Sequence, residues 1–107
     1  YSPALYHPGV CVISAALAAS QMAGVNGERF LRAVIAGYEI SNRIGAGVNP
    51  DHYKYWHTTG TVGTFGATIA TAVALDLDAG QVANAIGNAA SMAAGILPPM
   101  EVTRAIS

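Results

Sequence analysis

Residues 60–75 constrain the fold most, because this segment is long enough for about four helical turns and contains no charged residue. Small residues recur along it at i, i+4 spacing in two rows, Gly63, Ala67 and Thr71, and Gly66, Ala70 and Ala74. Residues at this spacing share a helix face, and small ones let a neighbouring backbone approach closely. The segment therefore predicts a central helix that the rest of the fold surrounds.

Capping residues and helix breakers predict three further helices, over residues 9–23, 27–47 and 79–95. Gly24 suits the end of the first of them. Asn26 is a suitable N-cap for the second, and Asp78 with Gln81 has the composition of a capping box for the last. Four helices with short connections predict an all-α helical bundle, with residues 1–107 in a single domain.

Two of these helices have faces that the sequence defines. Four charged residues of the second helix, Glu28, Arg32, Glu39 and Arg43, fall on one narrow stripe. We expect this helix to be packed around the rest of its circumference and to be ended by Gly45, Gly47 and Pro50. The residues of the last helix that are predicted to pack inward are Val82, Ile86, Ala89, Ala90 and Ala93.

The charge content is low for an independent domain of this size. Charged residues make up 10% of the chain, against about 25% in typical soluble domains. We therefore expect much of the surface to be covered by a second subunit, in a homodimer or larger assembly, or by further sequence. Since the chain begins at Tyr1 without a methionine, we expect a processed or excised product.

Charge and hydropathy argue against two kinds of partner. The net charge of −1 gives no clustered basic face for nucleic acid. The uncharged segments 9–25 and 60–75 fall short of the ~20 strongly apolar residues that a membrane span needs. Cys11 is the only cysteine, so no disulfide within the chain is possible, and we expect a cytoplasmic protein.

Two histidines are the first candidates for chemistry, because imidazole titrates near neutral pH and transfers protons in both directions. His7 directly precedes the first predicted helix, and His57 lies within a turn or so of the start of the central one. Two helix N-termini brought together would offer N–H donors to an anion such as a small carboxylate. The alternative is that each histidine only caps or packs its own helix.

Three other assignments of polar residues have less support. A zinc site built from His7, His52 and His57 matches no established ligand spacing. Cys11 is disfavoured as a nucleophile, because an apolar helix raises the pKa of a thiol instead of activating it. The glycines of residues 60–66 lack the Gly-Lys-Ser/Thr ending of a phosphate-binding loop, so close helix packing explains them better.

The candidate contacts to a substrate carboxylate are Lys54, Thr58 and Arg104. Lys54 belongs to the polar and aromatic segment 51–63 that leads into the central helix, and Thr58 directly follows His57. We expect the arginines of the charged stripe to face solvent, and we assign the anion contacts to Lys54 and Arg104.

Several motifs together resemble the MmgE/PrpD family. The most specific are His7-Pro8-Gly9 and the His-x-Thr-Gly-Thr-x-Gly segment of residues 57–63. The other matching segments are Ala36-Gly37-Tyr38-Glu39-Ile40 with Arg43-Ile44-Gly45, Leu75-Asp76-Leu77-Asp78, Ala85-Ile86-Gly87 and Ala93-Ala94-Gly95. The resemblance covers nearly the whole chain and corresponds to part of the family's large all-helical domain.

This resemblance implies an activity. The family includes 2-methylcitrate dehydratase, cis-aconitate decarboxylase and iminodisuccinate epimerase, which act on small polycarboxylates without a metal or organic cofactor and are commonly dimers. The resemblance places two active-site histidines of the family on His7 and His57. The family has a lysine in a Thr-Lys context where this chain has Thr103 and Arg104. Arg104 would bind a carboxylate there but would not carry a proton, since arginine stays charged.

Two functions are therefore expected. The first is a lyase or isomerase that removes a proton next to a carboxylate, with dehydration as the favoured reaction. His57 would transfer the proton, and His7 would bind a carboxylate or donate a proton. The alternative is a non-catalytic, oligomerising helical module, which the lack of the family's smaller lid domain in this chain favours.

Overall fold

The computed structural model describes residues 6–95 and contains four α-helices in this range. They are α1 (Pro8–Ala23), α2 (Gly27–Val48), α3 (Thr58–Ala74) and α4 (Ala79–Met92). A short 3-10 helix, Asp51–Lys54, lies between α2 and α3. α3 packs against each of the other three helices, and α1 also packs against α2. The predicted all-α bundle of four helices is confirmed.

α3 is the central helix, as the uncharged segment predicts, and none of its residues is exposed. Its buried residues are Thr58, Thr61, Val62, Gly63, Gly66, Ile69, Ala70, Ala72 and Ala74. Glycines allow the closest approach of the three packed helices. A Cβ added at Gly37 would lie 2.7 Å from a Val12 methyl group, and one at Gly66 would lie 2.9 Å from the other Val12 methyl group. The core is therefore built from backbone contact as much as from large side chains.

Some helix boundaries lie where the sequence signals predict them, and others do not. Gly24 ends α1 in the left-handed conformation, with φ 65°. α2 ends at Val48, one residue beyond the predicted end, but it continues through Gly47 and the buried Gly45, so these two glycines do not terminate it. Glycine lowers helix stability by only about 1 kcal/mol, which packing can offset. Pro50, which lacks an N–H group, follows the true end.

The predicted inward face of α4 is only partly correct. Ala89 is buried and Val82 is half-buried, but Ile86 and Ala90 are exposed. α4 packs chiefly against α3 at the edge of the bundle, so only one narrow line of its side chains is covered. The helix also ends at Met92 instead of continuing to residue 95.

The charged stripe of α2 is confirmed, but its apolar circumference is not fully packed. Arg32 lies 2.6 Å from Glu28 in an exposed ion pair, and Arg43 pairs with Glu39 in the same way. Two large apolar side chains beside the stripe are strongly exposed to solvent. These are Leu31, 58% exposed, and Ile35, 66% exposed. Within residues 6–95, no helix is long and apolar enough to cross a membrane.

Candidate active site at the starts of α1 and α3

The N-terminal ends of α1 and α3 meet, as the positions of the two histidines predict. The backbone N–H of His7 donates a hydrogen bond to the Thr59 hydroxyl, with 3.2 Å between N and Oγ1. The Cys11 sulfur lies 3.7 Å from the carbonyl oxygen of the same threonine. A Cβ at Gly63 would lie 2.5 Å from that sulfur, so a glycine is required where the two helices approach. The first turns of α1 and α3 therefore form one surface.

Both of these helices begin with a histidine at the N-cap position. Neither His7 nor His57 makes a side-chain capping hydrogen bond. The first N–H groups of a helix have no partner within the helix, and they carry the positive end of its dipole. Within residues 6–95, the site therefore combines two imidazoles with two open helix starts, which have no side-chain cap, an arrangement that suits an anion.

His57 is half-buried and held by the segment that follows α4. The backbone N–H of His57 donates to the Gly95 carbonyl at 3.0 Å. A Cβ at Gly60 would lie 2.8 Å from the Ala94 carbonyl oxygen and 3.6 Å from Cδ2 of the His57 ring. The ring thus lies beside Gly60, over the first turn of α3. Its Nδ1 is buried and has no hydrogen-bond partner in the described part of the chain, which is uncommon for a buried polar atom.

Tyr6 is buried in the core and anchors the backbone next to it, at the exposed His7. The ring is 2% exposed, and its hydroxyl donates to the Ser41 hydroxyl at 3.2 Å. Ser41 in turn donates to the carbonyl of Gly37 at 2.6 Å. Burial raises the pKa of Tyr6 above its ordinary value, although the bond to Ser41 opposes this shift. Sequence reasoning missed this anchor, because a tyrosine ahead of a helix carries no signal of what it packs against.

The loop before His57 is held against α3 by His52 and Asn49, which sequence reasoning did not assign to the site. Nε2 of His52 lies 2.7 Å from Oγ1 of Thr61. The His52 ring also stacks on Trp56, with centroids 6.1 Å apart and planes 15° apart. Asn49 donates to the Thr58 hydroxyl at 3.3 Å. These contacts fix the backbone that leads into His57.

The predicted substrate contacts occupy different environments. Lys54 is exposed and lies 3.4 Å from Asp51, an ion pair in solvent. Thr58 is fully buried, so its side chain does not reach a ligand in this structure. Arg104 lies outside the described residues.

The zinc and thiol alternatives have no structural support. Within residues 6–95, no three His, Cys, Asp or Glu side chains lie where they could hold a metal ion together. Burial raises the pKa of the Cys11 thiol, as the sequence predicts, which disfavours its reactive thiolate.

A groove of about 850 Å³ runs along α3 between α1 and α4. One end is lined by Thr59, Gly60 and Cys11, next to the open helix starts, and the other end reaches Leu77. A smaller cavity of about 230 Å³ is lined by His52 and by apolar residues of α2, α3 and α4. Neither His7 nor His57 lines these two cavities, so the histidines stand at the mouth of the groove and not inside it.

The fold is an all-α bundle in which two helices that begin with a histidine meet at their N-terminal ends. The chain belongs to the MmgE/PrpD family, since the model of the MmgE/PrpD N-terminal domain matches residues 1–102. The resemblance inferred from the sequence motifs is therefore confirmed. No curated protein and no solved structure matches the chain.

Proposed function

We propose that this chain carries the histidine part of a lyase or isomerase site that acts on a small polycarboxylate. The reaction begins with removal of a proton from the carbon next to a carboxylate, and dehydration is the outcome we favour. The observation that supports this proposal most is the hydrogen bond from His7 to Thr59, which brings together two open helix starts in a member of the MmgE/PrpD family.

In this proposal the first turns of α1 and α3 bind the substrate carboxylates. The backbone N–H groups at the start of α3 would stabilise the negative charge that develops on a carboxylate as the adjacent proton leaves. Lys54 and Arg104 are the side chains proposed to add positive charge. Electrostatic stabilisation of this kind is commonly among the largest contributions to catalysis.

The histidines would move the protons. His57 takes the proton from the carbon, and the electron pair of that C–H bond forms a carbon–carbon double bond. The bond to the hydroxyl group on the neighbouring carbon breaks, and His7 gives that hydroxyl a proton so that it leaves as water. Exchange with solvent then returns both imidazoles to their starting states.

A second candidate function is a non-catalytic helical module that associates with other subunits. The exposed apolar residues favour it, since Leu31 and Ile35 on α2 and Val10 and Leu17 on α1 are all in solvent in the single chain. Light scattering that shows a dimer or larger species, together with no turnover, would support this function.

The enzyme proposal is tested by mixing the purified chain with 2-methylcitrate, cis-aconitate and related acids and following the absorbance of unsaturated products. We expect turnover that His57→Ala abolishes. Turnover that survives this substitution would contradict the role of His57. Absence of turnover with every acid would favour the non-catalytic module.

A further inference from the structure

We propose that Thr59 is a positioning residue that fixes His7 relative to His57, an inference that rests on the proposed function. Its hydroxyl accepts the backbone N–H of His7 at 3.2 Å. Thr59 is two residues from His57, so their Cα atoms lie at most about 7.6 Å apart. A single side chain therefore connects the backbone of one candidate catalytic histidine to the first turn that carries the other.

A comparison with α4 shows what this hydrogen bond replaces. In the capping box of α4, the N-cap N–H of Asp78 donates to the side chain of Gln81 at 3.0 Å, three residues further along the same helix. The corresponding position of α1 is Val10, which has no side-chain acceptor. Thr59 supplies the acceptor from another helix. The N-cap N–H of α1 is thus used to join two helices and not to close its own.

Two other threonines on α3 that line the groove use their hydroxyls differently. Thr64 donates to the carbonyl of Gly60 at 3.0 Å, and Thr68 donates to the carbonyl of Thr64 at 2.7 Å. Both bonds stay within the helix and connect nothing else. Thr59 stands in the first turn, where no helical carbonyl lies four residues earlier, so its hydroxyl is available to α1.

The backbone around Thr59 reinforces this role. Its carbonyl is the partner of the Cys11 sulfur, and the missing side chain of Gly63 makes room for that sulfur. The first turn of α1 is thereby packed against the first turn of α3. The Thr59 hydroxyl adds a hydrogen bond at the very start of α1, to the backbone of His7. Without it, the end of α1 can shift while the helices stay packed.

The experiment compares Thr59→Val, which keeps the shape of the side chain but removes the hydroxyl, with Thr59→Ser, which keeps the hydroxyl. Thr68→Val is the matched control, because it removes a groove hydroxyl from the same helix. The first readout is amide hydrogen exchange of His7. Loss of one neutral hydrogen bond is expected to speed exchange about two- to tenfold in Thr59→Val and to leave Thr59→Ser and Thr68→Val unchanged.

The second readout is the Kd of tricarballylate, a tricarboxylate without a hydroxyl group to eliminate, measured from the imidazole NMR signals of His7 and His57. We expect Thr59→Val to raise Kd about two- to tenfold, by the same hydrogen-bond energy, and Thr59→Ser to restore it. If Thr59→Val does not fold, Thr59→Ala takes its place.

The outcomes separate the two proposals. If the unaltered chain binds no tricarballylate, the proposed function fails, while the exchange rate of His7 still decides whether Thr59 holds it. Unchanged exchange and unchanged Kd in Thr59→Val would overturn the positioning role. An equal effect of Thr68→Val would also overturn it, since the loss would then reflect general weakening of α3.

Discussion

The four helices begin in two different ways, and the difference separates scaffold from site. α2 and α4 are closed by their own side chains: Asn26 accepts the N–H of Arg29 at 2.9 Å, and Asp78 forms a full capping box with Gln81. α1 and α3 begin with His7 and His57, which provide no such cap. An N-cap stabilises a helix by about 1 kcal/mol, so the chain forgoes that stabilisation at two ends.

The two open starts are also the two that meet. Capped starts of α2 and α4 stand in solvent, where Asn26 and Asp78 are both exposed. The open starts of α1 and α3 are joined through Thr59. Donors left without a local cap at one shared surface are available to a ligand, whereas donors capped by side chains are not.

The largest expected effect comes from the candidate proton carrier at an open start. His57→Gln should lower kcat/KM for the accepted polycarboxylate by about 10²- to 10⁴-fold, the usual contribution of general acid–base catalysis. Steady-state kinetics on the folded variant measure this. A loss below about threefold would show that His57 does not transfer the proton.

The anchor beside the other open start is expected to dominate stability. Tyr6→Ala removes a buried aromatic ring and should lower the free energy of unfolding by about 3–5 kcal/mol. Tyr6→Phe keeps the ring and removes the hydroxyl with its bond to Ser41, so about 1 kcal/mol is expected. Urea denaturation of both variants measures the difference. Equal losses would mean that the hydroxyl, and not the ring, places His7.

The capped start of α4 is expected to contribute to stability and not to ligand binding. Asp78→Ala removes the N-cap of α4 and should lower the free energy of unfolding by about 1 kcal/mol. Because α4 starts away from the joined ends, the Kd of tricarballylate should stay unchanged. Urea denaturation and a binding titration on the same sample decide this. A clear rise in Kd would contradict the view that the capped starts of α2 and α4 stabilise the fold and that only the uncapped starts of α1 and α3 bind the ligand.

The smallest expected effect concerns Cys11, next to the joined starts. Burial raises the pKa of its thiol in the folded chain. The neutral thiol is therefore favoured on folding, and its contribution to stability is present below the thiol's unfolded pKa and lost as pH rises through the folded one. Alkylation by iodoacetamide at pH 8 should be slower in the folded chain than in urea. Equal rates would mean that the thiol is open to solvent.

The sequence predicted those features that depend on local signals. Asn26 and Asp78 mark helix starts because capping is decided within one turn, and the uncharged run of 60–75 marks a buried helix by composition alone. The bond from His7 to Thr59 joins residues 52 positions apart. Its existence depends on how α1 crosses α3, which capping signals and periodicity do not specify.

Two errors have the same physical origin. The sequence predicts that Gly45 helps to end α2, but Gly45 is buried within the helix, where packing outweighs its low helix propensity. Ile86 looked like an inward residue of α4, but only α3 covers that helix appreciably, and the isoleucine stays exposed. In both places, packing against other helices decides whether a residue is buried or ends a helix, and the sequence of one helix does not show this packing.

The most direct test of an anion site at the joined starts is an NMR titration of the three imidazoles with tricarballylate. The side chains of His7 and His57 stand at the open starts, while that of His52 is held by Thr61 beside the smaller cavity. We predict that the signals of His7 and His57 move together with one common Kd and that His52 moves much less. Separate curves for His7 and His57, or no saturable shift of either, would contradict a shared site.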